Sequence, residues 1–199
     1  MTKTVEFHFD VGSPAAYLAF LRLPGICKAA RATLDFKPML LGGVFQATGN
    51  QSPMTVPAKG RYMVDDLERF ARRHQLPFRH NPYFPINTLT LMRVAIGLQL
   101  RDPARLLPYL EAVYRAIWAE GRDMNDPAVV AAVLQGAGLD ATALLALAGD
   151  PEVKERLKAA TQEAVGRGVF GAPTFFVDGQ MYWGQDRLDF VQEALEAQP

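Results

Sequence analysis

The first residues that could do chemistry lie around Ser13, where a strand-like segment gives way to a helix. Residues 5–9 (VEFHF) alternate as a strand does, and a short turn separates them from Ser13 and Pro14. Serine is a favoured N-cap and proline is tolerated at the first helical position, so this pair predicts a helix start. The positive end of that helix dipole favours a negatively charged group above the Ser13 hydroxyl. The simpler alternative is that Ser13 only caps the helix.

A second candidate segment, residues 171–175 (GAPTF), lies near the other end of the chain. Proline cannot donate a hydrogen bond within a sheet, so the presence of Pro173 at the start of a strand that looks buried requires an explanation. One reason is a cis peptide bond between Ala172 and Pro173, which would turn the chain and leave the backbone of Ala172 free to pair with a ligand. The alternative explanation is that Pro173 lies at an ordinary transition from loop to strand.

Other reactive side chains are scattered along the chain. The single cysteine, Cys27, excludes an intramolecular disulfide and a dithiol pair, and its place inside the first predicted helix favours a buried apolar role. His8 lies within a strand, and His74 and His80 lie in an arginine-rich region. Because cysteine, histidine and carboxylate side chains do not cluster, we expect no metal site. No histidine is obviously placed to activate Ser13, and no G-x-S-x-G segment exists, so a serine–histidine–aspartate triad is not indicated.

The elements that must position these residues begin with a β-α-β unit, which forms a parallel strand pair through a right-handed crossover. We predict a strand over 5–9, a helix over 14–30 that Pro24 should kink or end early, and a strand over 34–41. Residues 44–60 are predicted to be a loop-like tract. Long irregular tracts inside compact domains are more often functional than idle.

The rest of the chain predicts a helical block and then a return to strands. A hairpin over 169–183 should turn at Asp178 and Gly179, and a last helix should run over 187–197. The sheet elements then form one domain, residues 1–41 and 167–199, interrupted by an all-helical insertion, residues 42–166. Apolar spacing places the helices of the block at about 61–74, 88–100, 103–120, 126–137, 140–148 and 151–166, with an irregular tract at 77–85.

Composition narrows the class of protein. Of 199 residues, 49 % are hydrophobic, and 21 basic residues balance 21 acidic ones, so neither a nucleic-acid groove nor charge-driven disorder is indicated. No apolar run reaches about 18 residues, and the first four residues (MTKT) lead directly into a strand, so we expect neither a membrane span nor a signal peptide. The expected location is a reducing cytoplasm, with no nucleic-acid and no membrane partner.

The two sheet halves together resemble the thioredoxin fold, an α/β architecture with a β-α-β half and a β-β-α half. In thiol oxidoreductases of that fold a Cys-x-x-Cys motif occupies the start of the first helix, where this chain has residues 13–16 (SPAA). Disulfide exchange needs two thiols and this site has none, so that chemistry is excluded. The all-helical insertion between the halves resembles the arrangement in DsbA-like proteins and kappa-class glutathione transferases.

Within that group, six segments in register resemble one family. Each segment alone is a weak signal, but together they cover essentially the whole chain and resemble the 2-hydroxychromene-2-carboxylate isomerase family, a relative of the kappa-class glutathione transferases. The segments are 10–17 (DVGSPAAY), 41–50 (LGGVFQATGN), 57–59 (PAK), 84–88 (FPINT), 168–175 (GVFGAPTF) and 183–187 (WGQDR).

This resemblance implies glutathione as the cofactor and places its sulfur at Ser13. The Ser13 hydroxyl would donate a hydrogen bond to the sulfur, and this bond and the helix dipole both favour thiolate over thiol. Ala172, which precedes the expected cis Pro173, would pair through its backbone with the cysteinyl unit. Gln185 and Asp186 resemble the γ-glutamyl site, where an acidic side chain can meet the ammonium group and free N–H groups can meet the carboxylate.

Four further positions follow from the resemblance. Lys59 and Asn50 match positions that hold glutathione, at its glycyl end. Without the resemblance, Lys59 would be a solvated lysine, Asn50 a turn residue, and Asp186 an N-cap of the last helix. Gln46 stands where the family has a lysine; if that lysine steadies a substrate carboxylate, glutamine keeps a hydrogen bond and loses the charge. Gln46 and Asn87 are the expected contacts of the substrate, a small aromatic carboxylate.

The function that the resemblance implies is glutathione-dependent interconversion of 2-hydroxychromene-2-carboxylate and trans-o-hydroxybenzylidenepyruvate, or of a close analogue, in aromatic hydrocarbon catabolism. The expected assembly is a homodimer. Two alternatives stay open. The chain could be a kappa-like glutathione transferase or peroxidase that uses the same thiolate on electrophiles, or a non-catalytic thioredoxin-like binding module.

Overall fold

The computed structural model describes residues 2–197, which form a mixed sheet with helices packed around it. Short 3₁₀ helices lie at Pro53–Thr55, Pro103–Arg105 and Gln185–Arg187. The strands and longer helices run in chain order as β1 (Thr4–Phe9), α1 (Pro14–Ala30), β2 (Thr33–Pro38), α2 (Leu41–Thr48), α3 (Pro57–Arg73), α4 (Leu89–Arg101), α5 (Leu106–Trp118), α6 (Pro127–Gly136), α7 (Ala141–Leu147), α8 (Pro151–Gly166), β3 (Thr174–Val177), β4 (Gln180–Trp183) and α9 (Leu188–Glu196).

The sheet has the strand order β2-β1-β3-β4, with β1 parallel to β2 and antiparallel to β3. Phe7, in the middle of β1, pairs with Phe36 on one side and with Phe175 on the other. The rings of Phe7 and Phe175 stack with their centroids 5.5 Å apart, and both side chains are fully buried. Because alternate residues of a strand share one face, Phe9 joins them in the core. This arrangement confirms the predicted thioredoxin-like fold.

Helix α1 spans the predicted range to Ala30 and runs past Pro24, so of the two effects expected of Pro24, a kink or an early end, the early end is wrong. A proline inside a helix costs roughly 3 kcal/mol. Here Leu23 and Cys27 are buried on either side of the exposed Pro24, and the packing of α1 in the core outweighs that local cost. The helix ends where Arg31 adopts a left-handed conformation with φ of 54°.

The segment after β2 also differs from its prediction. The second strand, expected over 34–41, ends at Pro38, and the tract 44–60 holds most of α2, a 3₁₀ turn and the start of α3 rather than loop alone. Long-range hydrogen bonds hold the start of α2: the Leu41 N–H donates to the Asp10 carboxylate at 2.8 Å and the Leu40 N–H donates to Thr161 at 3.0 Å. Such distant partners are invisible to local sequence patterns.

The remaining elements lie where the sequence placed them. Helices α4 to α8 fall within a few residues of the predicted ranges. The hairpin of β3 and β4 turns at Asp178 and Gly179, whose φ values of 50° and 79° are typical of a two-residue hairpin turn. The division into a sheet domain and an insertion stays a prediction, and its outermost residues 1, 198 and 199 lie outside the described part. Across residues 2–197, no helix has the length and apolarity needed to cross a membrane.

His8 gives the fold a pH dependence. Burial lowers the pKa of His8 below 6.5, although a hydrogen bond to Glu6 opposes the shift. A pKa that is lower in the folded than in the unfolded chain stabilises the fold above pH 6.5, and this contribution is lost as the pH falls through the folded value. We expect urea titrations to show a free energy of unfolding that declines below pH 6.5, by about 1.4 kcal/mol per unit of pKa difference. His8→Gln should flatten this slope; an unchanged slope would contradict the assignment.

Candidate active site

Ser13 is the N-cap of α1, and its hydroxyl makes two hydrogen bonds. The Oγ atom accepts one from the Ala16 N–H at 3.1 Å and donates one to the carbonyl oxygen of Ala172 at 3.1 Å. Capping needs only the first of these bonds. The second joins the two candidate segments that the sequence analysis identified at opposite ends of the chain. Ser13 is only 6 % exposed, so its side chain is almost fully buried.

The backbone of Ala172 has capacity for a further partner. The peptide bond between Ala172 and Pro173 is cis, as predicted, and β3 begins at the next residue. Within residues 2–197 the Ala172 N–H donates no hydrogen bond, and the Ala172 carbonyl accepts only that of Ser13. An N–H and a C=O group of one residue, both outside the sheet, can pair with an extended peptide-like ligand as a neighbouring strand would.

Asp10 is a buried carboxylate that connects three segments at the base of the site through hydrogen bonds. Only 1 % of it is exposed, and it accepts hydrogen bonds from the Gly12 N–H at 2.9 Å, the Leu41 N–H at 2.8 Å and the Thr88 hydroxyl at 3.0 Å. Burial raises the pKa of the Asp10 carboxyl, and these three donors oppose that shift. The Asp10 carbonyl also accepts the Ser13 N–H at 3.0 Å. Asp10 therefore fixes the turn before Ser13 and the starts of α2 and α4.

Asp10 was not among the predicted site residues. The available signal was its type and place: a carboxylate directly after β1, whose alternate residues Val5, Phe7 and Phe9 are apolar, and three positions before Ser13. Acidic residues are rarely buried without partners, so such a placement indicates a buried hydrogen-bonded carboxylate.

Gln185 and Asp186 lie in the 3₁₀ turn before α9. Gln185 is buried, and Arg22 of α1 donates to its backbone carbonyl at 3.2 Å and reaches its side-chain oxygen at 3.5 Å. Asp186 is exposed, with its carboxylate 3.4 Å from Arg187. It makes no capping hydrogen bond, and Arg187 occupies the N-cap position of α9, so Asp186 is not the cap of that helix. Arg22, which no local pattern indicates, couples this turn to α1.

Of the other predicted site residues, Asn50 is hydrogen-bonded beside the cis-proline loop, whereas within residues 2–197 Lys59, Asn87 and Gln46 make no hydrogen bond to either candidate segment. Asn50 lies against the loop before the cis bond, since its Nδ2 donates to the Phe170 carbonyl at 2.8 Å. Lys59 is exposed in the first turn of α3, within a helix rather than the irregular tract expected there. Asn87 accepts a hydrogen bond from the first N–H of α4 at 3.2 Å and so helps to begin that helix. Gln46, on α2, lines a cavity against α4 and α8.

Gly184 shapes the turn that carries Asp186. Its φ of 107° and ψ of 146° lie in a region that L residues other than glycine rarely adopt, and a Cβ there would approach the Asp186 carboxylate to 2.4 Å. Gly184→Ala is therefore expected to lower the free energy of unfolding by about 1–3 kcal/mol and to displace Asp186. The matched control is Gly166→Ala, where a Cβ meets open space. Equal stability of the two variants in urea denaturation would refute this expectation.

The protein's own thiol is poorly suited to react. Cys27 is buried within α1, and this burial raises its thiol pKa to about 11. A thiol in that environment stays protonated near neutral pH. Among residues 2–197, no three His, Cys, Asp or Glu side chains form a group that could hold a metal ion. Any reactive sulfur at Ser13 must therefore come from a bound molecule.

A thioredoxin-type sheet, a helical block, and a serine facing a cis-proline loop define a thioredoxin-class protein without the dithiol of the redox members. The family model for the DSBA-like thioredoxin domain matches residues 4–196. The chain therefore belongs to the DsbA-like thioredoxin family, in which it is similar to 2-hydroxychromene-2-carboxylate isomerases and kappa-class glutathione transferases.

Individual relatives cover nearly the full chain. A 2-hydroxychromene-2-carboxylate isomerase of Sphingobium xenophagum is 34 % identical over 98 % of this chain and 99 % of its own length. Glutathione S-transferase kappa 1 of Homo sapiens is 30 % identical over 98 % of this chain and 92 % of its own. The solved structure of a 2-hydroxychromene-2-carboxylate isomerase matches with a TM-score of 0.83 at 30 % identity, covering 96 % of this chain and 94 % of that one.

Proposed function

We propose that this protein is a glutathione-dependent isomerase that interconverts 2-hydroxychromene-2-carboxylate and trans-o-hydroxybenzylidenepyruvate, or close analogues of them. The observation that carries the proposal is the Ser13 hydroxyl at the start of α1, hydrogen-bonded to the Ala172 carbonyl of a cis-proline loop. The similarity to isomerases of that name over nearly the whole chain supports the choice of reaction.

The residues present fit glutathione. The unpartnered N–H and the carbonyl of Ala172 match the backbone of a peptide, and the exposed Asp186 carboxylate suits an ammonium group. The family resemblance assigns Lys59 and Asn50 to the glycyl end of glutathione, and we keep that assignment as part of the proposal. When bound, glutathione supplies the thiolate that this chain lacks, since its one cysteine is buried.

The Ser13 hydroxyl has a defined task in this proposal. In the structure it donates to the Ala172 carbonyl. A ligand N–H that takes up the Ala172 carbonyl competes for that acceptor, and the serine proton becomes available to a sulfur anion above the helix. The N-terminus of α1 adds its partial positive charge at the same place. Both effects favour thiolate over thiol at neutral pH, and the site's further share is orientation of the reactants.

The direct test is a spectral assay of chromene carboxylate isomerisation with glutathione, without it, and with S-methylglutathione in its place. We expect conversion only with the free thiol, because the methylated tripeptide keeps the binding groups and lacks the nucleophile. Conversion at equal rates in all three conditions would refute the proposal.

A kappa-like transferase is the second candidate, and Gln46 is the observation that favours it. A glutamine where the isomerase family has lysine removes a positive charge suited to a substrate carboxylate. Conjugation of glutathione to a chlorinated aromatic acceptor, measured beside isomerisation, separates the two activities. A non-catalytic module would show neither. We further propose a homodimer in a reducing cytoplasm, with light scattering after gel filtration as the test of assembly.

A further inference from the structure

A cavity of about 760 Å³ lies between α2, α4 and α8, and Ser13 is not among its lining residues. This volume is within the range of small-molecule sites, roughly 300–1,000 Å³. Apolar side chains contribute to its walls, the larger ones being Leu40, Leu89, Leu157 and Val165. Such walls suit the body of an aromatic or other apolar molecule.

The charged residues at the cavity are mostly cationic. Arg93 of α4 and Lys154 and Lys158 of α8 line it, against the single acid Glu155. The Lys158 Nζ atom lies 3.7 Å from a Glu155 carboxylate oxygen, so the charges of these two side chains offset each other. Across residues 2–197, neither the half-buried Arg93 nor Lys154 has a carboxylate oxygen within 4.0 Å. Arg93 and Lys154 therefore line the cavity without an ion-pair partner in the described part of the chain.

The cavity is connected to the Ser13 site through Asp10. The Asp10 carboxylate holds the first N–H of α2, which carries Gln46, and the Thr88 hydroxyl directly before α4, which carries Arg93. The backbone carbonyl of the same Asp10 holds the Ser13 N–H. Two of the three helices that line the cavity, α2 and α4, are thus held at their starts by the residue that fixes the turn to Ser13.

We infer that this cavity binds the carboxylate end of the substrate, with Arg93 as its main contact and Lys154 as a second cation. Arg93 then supplies the charge that Gln46, on the facing wall, does not. A guanidinium matches a carboxylate with two parallel hydrogen bonds, and an apolar wall beside it holds the ring. The inference rests on the proposed function, because it identifies the cavity as part of the same catalytic site.

The test uses trans-cinnamate, an aromatic carboxylate, and cinnamamide, its neutral counterpart, in calorimetric titrations of the full chain. We expect cinnamate to bind more tightly than cinnamamide. Arg93→Met should weaken cinnamate about tenfold or more and leave cinnamamide unchanged, since a hydrogen bond to a charged group contributes roughly 1.5–3 kcal/mol. Lys154→Met, on an exposed helix position, should weaken cinnamate by a smaller factor, and Lys28→Met is the control outside the cavity.

Glutathione titrated into the same variants separates this inference from the proposed function. Glutathione affinity that is equal in wild type and Arg93→Met, with cinnamate affinity lost, supports a substrate-carboxylate subsite that does not share its contacts with glutathione. Equal binding of cinnamate and cinnamamide, or cinnamate binding unaffected by both Arg93→Met and Lys154→Met, would overturn the inference even where glutathione binds normally. Absence of glutathione binding to the wild type would overturn the proposed function instead. Circular dichroism confirms that each variant is folded.

Discussion

Replacing Ser13 with alanine is expected to raise the thiol pKa of protein-bound glutathione and to lower turnover about a hundredfold near neutral pH. Ser13 supplies the one side-chain O–H donor at the start of α1 that reaches the cis-proline loop. Removing a single donor that stabilises a reacting anion typically reduces rates by about 10²–10³. Absorbance of the thiolate band, titrated with pH in wild type and in Ser13→Ala, measures the pKa directly.

Ser13→Ala also removes an N-cap, which alone costs about 1 kcal/mol of stability. Asp126→Ala is the matched control, because Asp126 caps α6 through the Ala128 N–H and lies outside the site. Ser13→Thr keeps both the cap and the hydroxyl and should retain most of the activity. If Ser13→Ala leaves the bound thiol's pKa unchanged, the role assigned to Ser13 is wrong.

The second large effect is expected at Asp10. Asp10→Ala leaves the N–H groups of Gly12 and Leu41 and the hydroxyl of Thr88 without their acceptor. Each buried donor without a partner costs about 1–3 kcal/mol of stability. Because removing the buried carboxylate also removes its own desolvation cost, part of this loss is offset. We therefore expect the free energy of unfolding, measured by urea denaturation, to fall by about 3 kcal/mol. The turn before Ser13 and the start of α2 should loosen together.

Two further variants serve as comparisons for the stability loss of Asp10→Ala. Asp140→Ala removes an exposed cap of α7 and should cost only about 1 kcal/mol. Thr88→Val removes one of the three donors and leaves the carboxylate in place, so its effect should be smaller than that of Asp10→Ala. A stability loss in Asp10→Ala no larger than in Asp140→Ala would show that Asp10 does not organise the site.

Local patterns were sufficient for much of the fold and part of the site. The start of α1 at Ser13 and Pro14 and the hairpin turn at Asp178 each depend on neighbouring residues, and the structure has both. The residues around Pro173 leave a cis bond and an ordinary transition open, and only the family resemblance favours the cis bond that the structure has. Turn chemistry, caps and apolar spacing are properties of short segments. They can be inferred before the chain is folded.

The parts that sequence reasoning missed are those that distant residues decide. Helix α2 contains two adjacent glycines in its first turn, which indicate a loop, but the Asp10 carboxylate and the Thr161 hydroxyl hold that turn. Pro24 stays inside α1 because buried neighbours outweigh its local cost. The contact of Arg22 with Gln185 joins residues 163 positions apart, and no periodicity indicates it.

The central place of β1 in the sheet has a consequence for synthesis of the chain. Its pairing with β2 is possible once residue 38 is made, but its other edge waits for β3, which begins at Thr174. At about 5–20 residues per second this delay is on the order of ten seconds. Over that time the aromatic strand has one open edge, a template for pairing with other nascent chains, while the helices of the block can already form. A chain released before β3 is made is therefore expected to aggregate. Synthesis yields a folded protein only when it continues through the last strands.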